Sequence, residues 1–118
     1  MLSRVDHIDV RTPDFGGTVQ FFRDLGLEVV RETDPERGSV ELALPGPDQV
    51  VIEVRVDPAA EKTYVHHVAF HAPDEPSAID GLAARGISFS KTHALIQHTG
   101  RTISNAHDAG GGTWQVTD

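Results

Sequence analysis

The stretch that decides the fold is HIDVRTPD, residues 7–14, because the chain repeats its pattern as HVAFHAPD at residues 67–74. Both stretches begin with His, carry apolar residues at the second and fourth positions and end in Pro-Asp. A true duplication keeps its register beyond one short match. At the same offset of sixty residues, GL at 26–27 corresponds to GI at 86–87. We therefore predict two copies of one module.

Each copy has the pattern of a strand, a helix and three further strands. Alternating apolar and polar residues predict the strands, and apolar residues near helical spacing after each Pro-Asp predict the helices. In the first copy the strands are predicted at 4–11, 27–33, 38–44 and 49–56 and the helix at 14–25. In the second the strands are predicted at 63–72, 87–96, 101–107 and 112–117 and the helix at 75–85. Turn-rich stretches at 34–38, 45–48 and 108–112 separate strands.

Length and charge narrow the classes of protein that are possible. A chain of 118 residues is predicted to form a single domain over 1–118, with module one at about 1–60 and module two at about 61–118. The net charge of −8 argues against binding nucleic acid or an anionic membrane surface. No apolar run is long enough to span a membrane and no signal peptide is recognisable, which favours a soluble cytoplasmic protein. Because the chain has no cysteine, a metal site would need His, carboxylate or amide ligands.

Four polar residues occupy equivalent positions in the two copies. In the first strand of each copy the apolar side chains share one face, so His7 and His67 lie on the other. The last strands behave alike, with Glu53 and Gln115 opposite the apolar residues beside them. If the two sheets pair about the twofold axis that the repeat implies, these four side chains converge in one cleft.

The chain resembles the vicinal oxygen chelate superfamily, which includes glyoxalase I, extradiol dioxygenases, methylmalonyl-CoA epimerase and the bleomycin resistance proteins. The resemblance extends over nearly the whole chain, from VDHI at 5–8 through VHHVAF at 65–70 to DAGGGTWQ at 108–115. Two residues depart from the family's closing turn, since Ala109 replaces the usual Pro and Gln115 the usual Glu ligand. The resemblance implies an α+β fold in which two tandem βαβββ modules form a U-shaped mixed sheet cup around a divalent metal.

Carried onto this chain, the resemblance implies a metal site with four ligands, His7, Glu53, His67 and Gln115. Two imidazoles, one carboxylate and one amide oxygen suit Zn, Ni, Co, Mn or Fe(II) and leave room for water or substrate. Glu53, as the obvious carboxylate at such an ion, is expected to be ligand, catalytic base or both. Three residues on the same face are expected behind the ligands or at the substrate: Asp9, Arg55 and His71. His66 should point away from His67 and is expected to be structural.

Three functions are compatible with this set of residues. The first is a metal-dependent lyase or isomerase of the glyoxalase I or epimerase type, acting on a small oxygenated substrate. The second is an extradiol-type dioxygenase, which is less favoured because such enzymes take their carboxylate ligand from the last strand, where this chain has Gln115. The third is a non-catalytic antibiotic-binding protein of the bleomycin resistance type, although those proteins generally lack the ligand histidines.

The expected partners are a small-molecule substrate or ligand and a second copy of the chain. Two modules of about sixty residues leave sheet edges exposed, and small members of the superfamily usually dimerise. A homodimer is therefore expected. The cup could form within one chain, or His7 and Glu53 of one subunit could meet His67 and Gln115 of the other.

Overall fold

The structure, a computed structural model, describes residues 1–34, 36 and 38–118, and for residues 33 and 34 the backbone alone. It contains two helices and eight strands, in the order β1 (Arg4–Thr12), α1 (Phe15–Asp24), β2 (Glu28–Asp34), β3 (Ser39–Ala43), β4 (Val51–Val56), β5 (Tyr64–His71), α2 (Glu75–Ala83), β6 (Phe89–Leu95), β7 (Thr102–His107) and β8 (Thr113–Thr117). All ten predicted elements are present, and the α+β class with two tandem βαβββ modules is confirmed. The predicted turn at 34–38 includes Pro35 and Arg37, which lie outside the described residues.

The chain divides into two compact units. The first unit comprises residues 7–66, and the second comprises residues 1–6 together with 67–118. The N-terminal residues join the second unit because Ser3 donates its backbone N–H to the carbonyl of His71 at 2.9 Å. Arg101 also donates from Nε to Asp6 at 3.1 Å.

In the first unit the strands follow the order β2-β3-β4-β1. β1 runs parallel to β4, whereas β3 is antiparallel to both β2 and β4. α1 begins after Asp14, whose carboxylate accepts the N–H of Gly17 at 3.0 Å and so satisfies a helix N–H that has no partner within the helix. The helix is followed by Gly26 at φ +106, a left-handed conformation that favours glycine. α1 contacts β4, in which Val54 is fully buried.

The second unit repeats this arrangement with the order β5-β8-β7-β6 and a parallel pair of β5 and β8. Its α2 begins after Asp74, which accepts the N–H of Ser77. The apolar core between α2 and the sheet consists of Ala72, Ala78, Ile79 and Val116, with Leu82 and Phe89 packed against it.

The predicted turn at 108–112 is held by one side chain. Asp108 Oδ1 accepts the backbone N–H groups of Gly110 at 2.7 Å and Gly112 at 3.1 Å, and its Oδ2 accepts the indole N–H of Trp114 at 2.7 Å. These bonds hold the pKa of Asp108 below its usual value, the contact with Trp114 contributing most. The turn therefore fixes the start of β8, the strand that carries Gln115. Among the described residues, no helix combines the length and the apolar character that crossing a membrane requires.

Candidate functional site

A row of acidic side chains crosses the sheet of the first unit. Asp9 on β1 lies opposite Glu53 on β4, and Glu53 lies opposite Glu41 on β3. His7 precedes Asp9 by two residues, so its side chain lies on the same face of the sheet. We call these four residues, His7, Asp9, Glu41 and Glu53, the first polar row. The structure thus brings two predicted ligands of this unit onto one face, together with the predicted neighbour Asp9.

Burial distinguishes this row from ordinary surface charge. The exposed fraction is 3% for His7, 0% for Asp9 and 2% for Glu41. Desolvation is the main reason why the pKa of Glu53 rises from 4.5 to about 7, and repulsion by Asp9 and a hydrogen bond with it add to the rise. Glu41 raises this pKa further, whereas the nearby His7 lowers it. Glu53 can therefore take up and release a proton near neutral pH.

One buried oxygen of Asp9 accepts no hydrogen bond from the described residues while Glu53 is ionised. Arg11 donates from Nε to Asp9 Oδ1 at 3.0 Å, while Oδ2 is the buried oxygen without a donor among the described residues. Buried carboxylate oxygens are costly to leave unmatched. The protonated form of Glu53, which forms a hydrogen bond with Asp9, or a cation bound at this face would match it.

The first unit also contains a histidine beside this row. A ring nitrogen of His66 and a carboxylate oxygen of Asp9 lie within 4.8 Å of each other. The pKa of His66 is lowered, first by burial and then by the positive charge of Arg11, and Arg55 acts in the same direction. Arg55, one of the residues expected behind the ligands, follows Glu53 by two positions on β4 and so shares its face.

The second unit has a polar row at the equivalent strand positions. Gln115 on β8 lies opposite Ala69 on β5 and opposite Asn105 on β7. His67 precedes Ala69 by two residues, as His7 precedes Asp9. Gln115 donates from Nε2 to Asn105 Oδ1 at 3.0 Å. We call His67, Asn105 and Gln115 the second polar row.

The two rows differ in charge although their geometry is repeated. Glu53 is replaced by Gln115 and Glu41 by Asn105, and Ala69 stands at the position of Asp9. The three carboxylates of these positions therefore all belong to the first unit.

His71, predicted to lie near the substrate, forms a hydrogen bond with a residue of its own unit. Its Nδ1 shares a hydrogen bond of 2.8 Å with the hydroxyl of Ser3, and its carbonyl accepts the Ser3 backbone N–H. These bonds attach the N-terminal segment to β5. A substrate role for His71 stays a prediction.

Sequence reasoning did not identify Glu41 and Asn105. Both lie opposite a predicted ligand across a hairpin, but the hairpins differ in length, since 12 positions separate Glu41 from Glu53 and 10 separate Asn105 from Gln115. A fixed offset between the repeats therefore does not align them. The sequence does show that Glu41 and Asn105 are polar residues in strands next to those of the predicted ligands. This pattern identifies these two residues only when the strand register is known.

Each of the two rows contains side chains of the kinds that bind divalent ions. Each unit supplies one buried imidazole, and the oxygen donors are the Glu53 carboxylate and the Gln115 amide. Imidazole, carboxylate and amide oxygen together suit borderline ions such as Zn, Ni, Co, Mn or Fe(II). The unmatched Asp9 oxygen is a further reason to expect positive charge at this face of the first unit.

Solved structures with the same fold include several epimerases. A variant of methylmalonyl-CoA epimerase from Streptomyces coelicolor, bound to 2-nitronate-propionyl-CoA, is 21% identical with a TM-score of 0.79, over 99% of this chain and 94% of that one. Methylmalonyl-CoA epimerase from Mycobacterium tuberculosis is 18% identical with a TM-score of 0.77, over 98% and 87% of the two chains. The hypothetical protein BH1468 from Bacillus halodurans is 17% identical with a TM-score of 0.75, over 97% and 92%.

At these identities the structural likeness shows the fold alone. A comparison with curated proteins gave no match. The model of the Glyoxalase/Bleomycin resistance protein/Dioxygenase superfamily matches residues 4–116, a range that contains both polar rows. The chain belongs to the Glyoxalase/Bleomycin resistance protein/Dioxygenase superfamily.

Proposed function

We propose that the protein is a divalent-metal-dependent isomerase or lyase that moves a proton at a carbon next to a substrate oxygen. The observation that carries this proposal is the first polar row, where three carboxylates and His7 share one sheet face, so that one carboxylate can bind an ion and another can move a proton. A carboxylate positioned beside the substrate is one of the groups that act as general base. The epimerase neighbours catalyse an isomerisation, which favours this class over a dioxygenase or a binding protein.

The ligands of the ion in this proposal are His7, Glu53, His67 and Gln115. The ion, when bound, would stabilise negative charge that develops on a substrate oxygen. Divalent metals are commonly bound in this superfamily. As a ligand Glu53 must be ionised, so binding of the ion releases the proton that Glu53 holds in the ion-free protein.

Glu41 is then the carboxylate that performs the proton transfer. It is buried, lies directly opposite Glu53 and is not among the proposed ligands. In the proposed step an oxygen of Glu41 accepts the proton from the substrate carbon while the C–H electron pair passes toward the adjacent substrate oxygen, and the resulting carboxylic acid delivers the proton to the neighbouring carbon, which gives the isomerised product. Asp9 holds Arg11 at 3.0 Å and so places a positive charge beside the row.

Metal analysis of the purified protein tests the ligand set. We expect one ion per chain, which His7→Ala and His67→Ala should each abolish while the fold is retained. His98→Ala is the matched control, because His98 is exposed and lies in the connection between β6 and β7. A folded wild-type protein that takes up no ion would contradict the proposal and favour a binding protein of the bleomycin resistance type.

The role of Glu41 is tested by deuterium exchange into a substrate. Methylmalonyl-CoA, the ligand of one epimerase neighbour, is a suitable first probe in D₂O. We expect Glu41→Gln to slow exchange at the acidic carbon by at least about 100-fold, the lower end of what a general base contributes, while the bound ion is kept. Unchanged exchange would exclude Glu41 as the base. Absence of exchange with wild-type protein would instead exclude this substrate.

We propose further that the protein is a homodimer and that the ion is held in a cup that both modules form. Mixing His7→Ala and His67→Ala subunits distinguishes the two possible arrangements. If each cup combines residues from two subunits, the mixed dimer contains one intact set of ligands and regains half of the bound metal. If each cup lies within one chain, mixing restores none. Sedimentation at several protein concentrations measures the dimer itself.

A further inference from the structure

Gln115 can serve as a ligand through only one of its two terminal atoms. A side-chain amide binds a cation through its oxygen, because the NH₂ group is a donor of hydrogen bonds and offers no lone pair. A carboxylate such as Glu53 has no such restriction, since either oxygen can bind. The amide at position 115 must therefore be held with the correct end toward the ion.

Asn105 holds the other end of this amide. Gln115 Nε2 donates to Asn105 Oδ1 at 3.0 Å, within the ordinary range for a hydrogen bond. The two residues lie directly opposite each other on the antiparallel strands β7 and β8. Gln115 is 6% exposed, so water has little access to compete for this bond. Because the amide group is planar, fixing Nε2 toward β7 directs Oε1 away from Asn105.

We propose that Asn105 is a positioning residue that orients Gln115 Oε1 for the divalent ion. This inference rests on the proposed function, in which Gln115 is a ligand. The equivalent pair in the first unit is Glu41 opposite Glu53, where the ligand needs no orientation and its neighbour is the proposed base. In the second unit this pair of strand positions therefore orients a ligand. In the first unit it provides a ligand and the base for proton transfer.

A double-mutant cycle measures the orienting effect through metal affinity. Zn²⁺ or Co²⁺ alone is titrated calorimetrically into ion-free wild type, Asn105→Ala, Gln115→Glu and the double variant. Residues that orient a ligand typically contribute 10- to 100-fold to metal affinity, so we expect Asn105→Ala to weaken binding at least about tenfold. In the Gln115→Glu background the same change should have an effect of less than about threefold, because either carboxylate oxygen can bind.

Two results of this cycle would overturn the inference. Equal losses in the two backgrounds would mean that Asn105 acts by supporting the fold, and no loss in the wild-type background would mean that it has no role. If ion binding survives His7→Ala and His67→Ala, the proposed ligand set fails, and the inference fails with it. If those two variants lose the ion but Asn105→Ala does not, only the inference about Asn105 fails.

The direction of the hydrogen bond is tested without any metal. In ¹⁵N NMR spectra of the ion-free protein, the side-chain NH₂ of Gln115 should exchange slowly with water. Asn105→Asp keeps an acceptor and removes the donor, so this protection should persist, whereas Asn105→Ala should abolish it. Rapid exchange of the Gln115 NH₂ already in the wild-type protein would show that Asn105 donates to Gln115 Oε1, which reverses the proposed orientation.

Discussion

At the scale of single residues, the charge of Glu53 opposes folding. Its pKa is about 7 in the folded protein and 4.5 in an unfolded chain, so between these values the folded state binds the proton more tightly. The free energy of unfolding therefore falls as the pH rises from 4.5 to 7. Above pH 7 the full free-energy cost of burying the Glu53 charge is present. We expect Glu53→Gln to raise the free energy of unfolding of the ion-free protein by about 3 kcal/mol at pH 8 and to change it little at pH 4.

Urea unfolding in the presence of a chelator, at pH 8 and at pH 4, measures this difference. Glu61→Gln is the control, because Glu61 is exposed and lies outside the strands. An equal effect of Glu53→Gln at both pH values would mean that its charge is not the cause. With a saturating divalent ion the sign should reverse, since the variant removes a proposed ligand.

Sequence reasoning reached some of these residues and not others. The repeat identified His7, Glu53, His67 and Gln115 as equivalent positions, and strand alternation placed Asp9 on the same face. The pKa of Glu53 could not be predicted, because it depends on how deeply the chain buries that carboxylate and on Glu41 across the hairpin. Both depend on strand register, which the sequence does not specify.

At the scale of elements, one buried carboxylate joins α2 to the hairpin of β6 and β7. Glu75, 2% exposed at the start of α2, accepts the hydroxyl of Ser104 at 2.7 Å and lies 2.8 Å from Nδ1 of His93. His93 has φ +52, a conformation that is unfavourable for its side chain, and its backbone N–H donates to Ser104 at 3.0 Å. The three residues therefore fix a bend in β6 against the helix.

We expect Glu75→Ala to lower the free energy of unfolding by about 2 to 3 kcal/mol, because it leaves the buried Ser104 hydroxyl without its acceptor. Glu75→Gln, which keeps an acceptor oxygen, should cost less. Asp80→Ala is the control on the same helix, since Asp80 is exposed. Chemical denaturation measures all three, and a Glu75→Ala protein as stable as wild type would show that the contact does not hold the hairpin.

The elements themselves were largely predictable, because their signals are local. Asp14 and Asp74 cap the helices as predicted, and alternation gave each strand to within a few residues. The irregular pairing of β6 between Lys91 and Ala94 was not predicted. It depends on the contact of His93 with Glu75, which lies 18 positions away in sequence, and local patterns contain no information about such contacts.

At the scale of the whole molecule, the repeat predicted two modules, and the structure contains two compact units of the same topology. The units are unequal in charge at their polar rows, since the carboxylates lie in the first and the amides in the second. If the proposed ligand set is correct, an ion held by His7 and Glu53 and also by His67 and Gln115 must stabilise both units together. Stabilisation follows because the ion binds the folded state and not the unfolded chain.

Hydrogen exchange with and without Zn²⁺ tests this coupling directly. We expect amide protection to increase in β1 and β4 of the first unit and in β5 and β8 of the second. At a free ion concentration of about 100 times Kd, the gain should approach 2.7 kcal/mol for amides that exchange by global unfolding. His67→Ala should remove the gain in both units, although the substitution lies in only one. A gain confined to the first unit would mean that its carboxylates bind the ion alone, and the ligand set would then have to exclude His67 and Gln115.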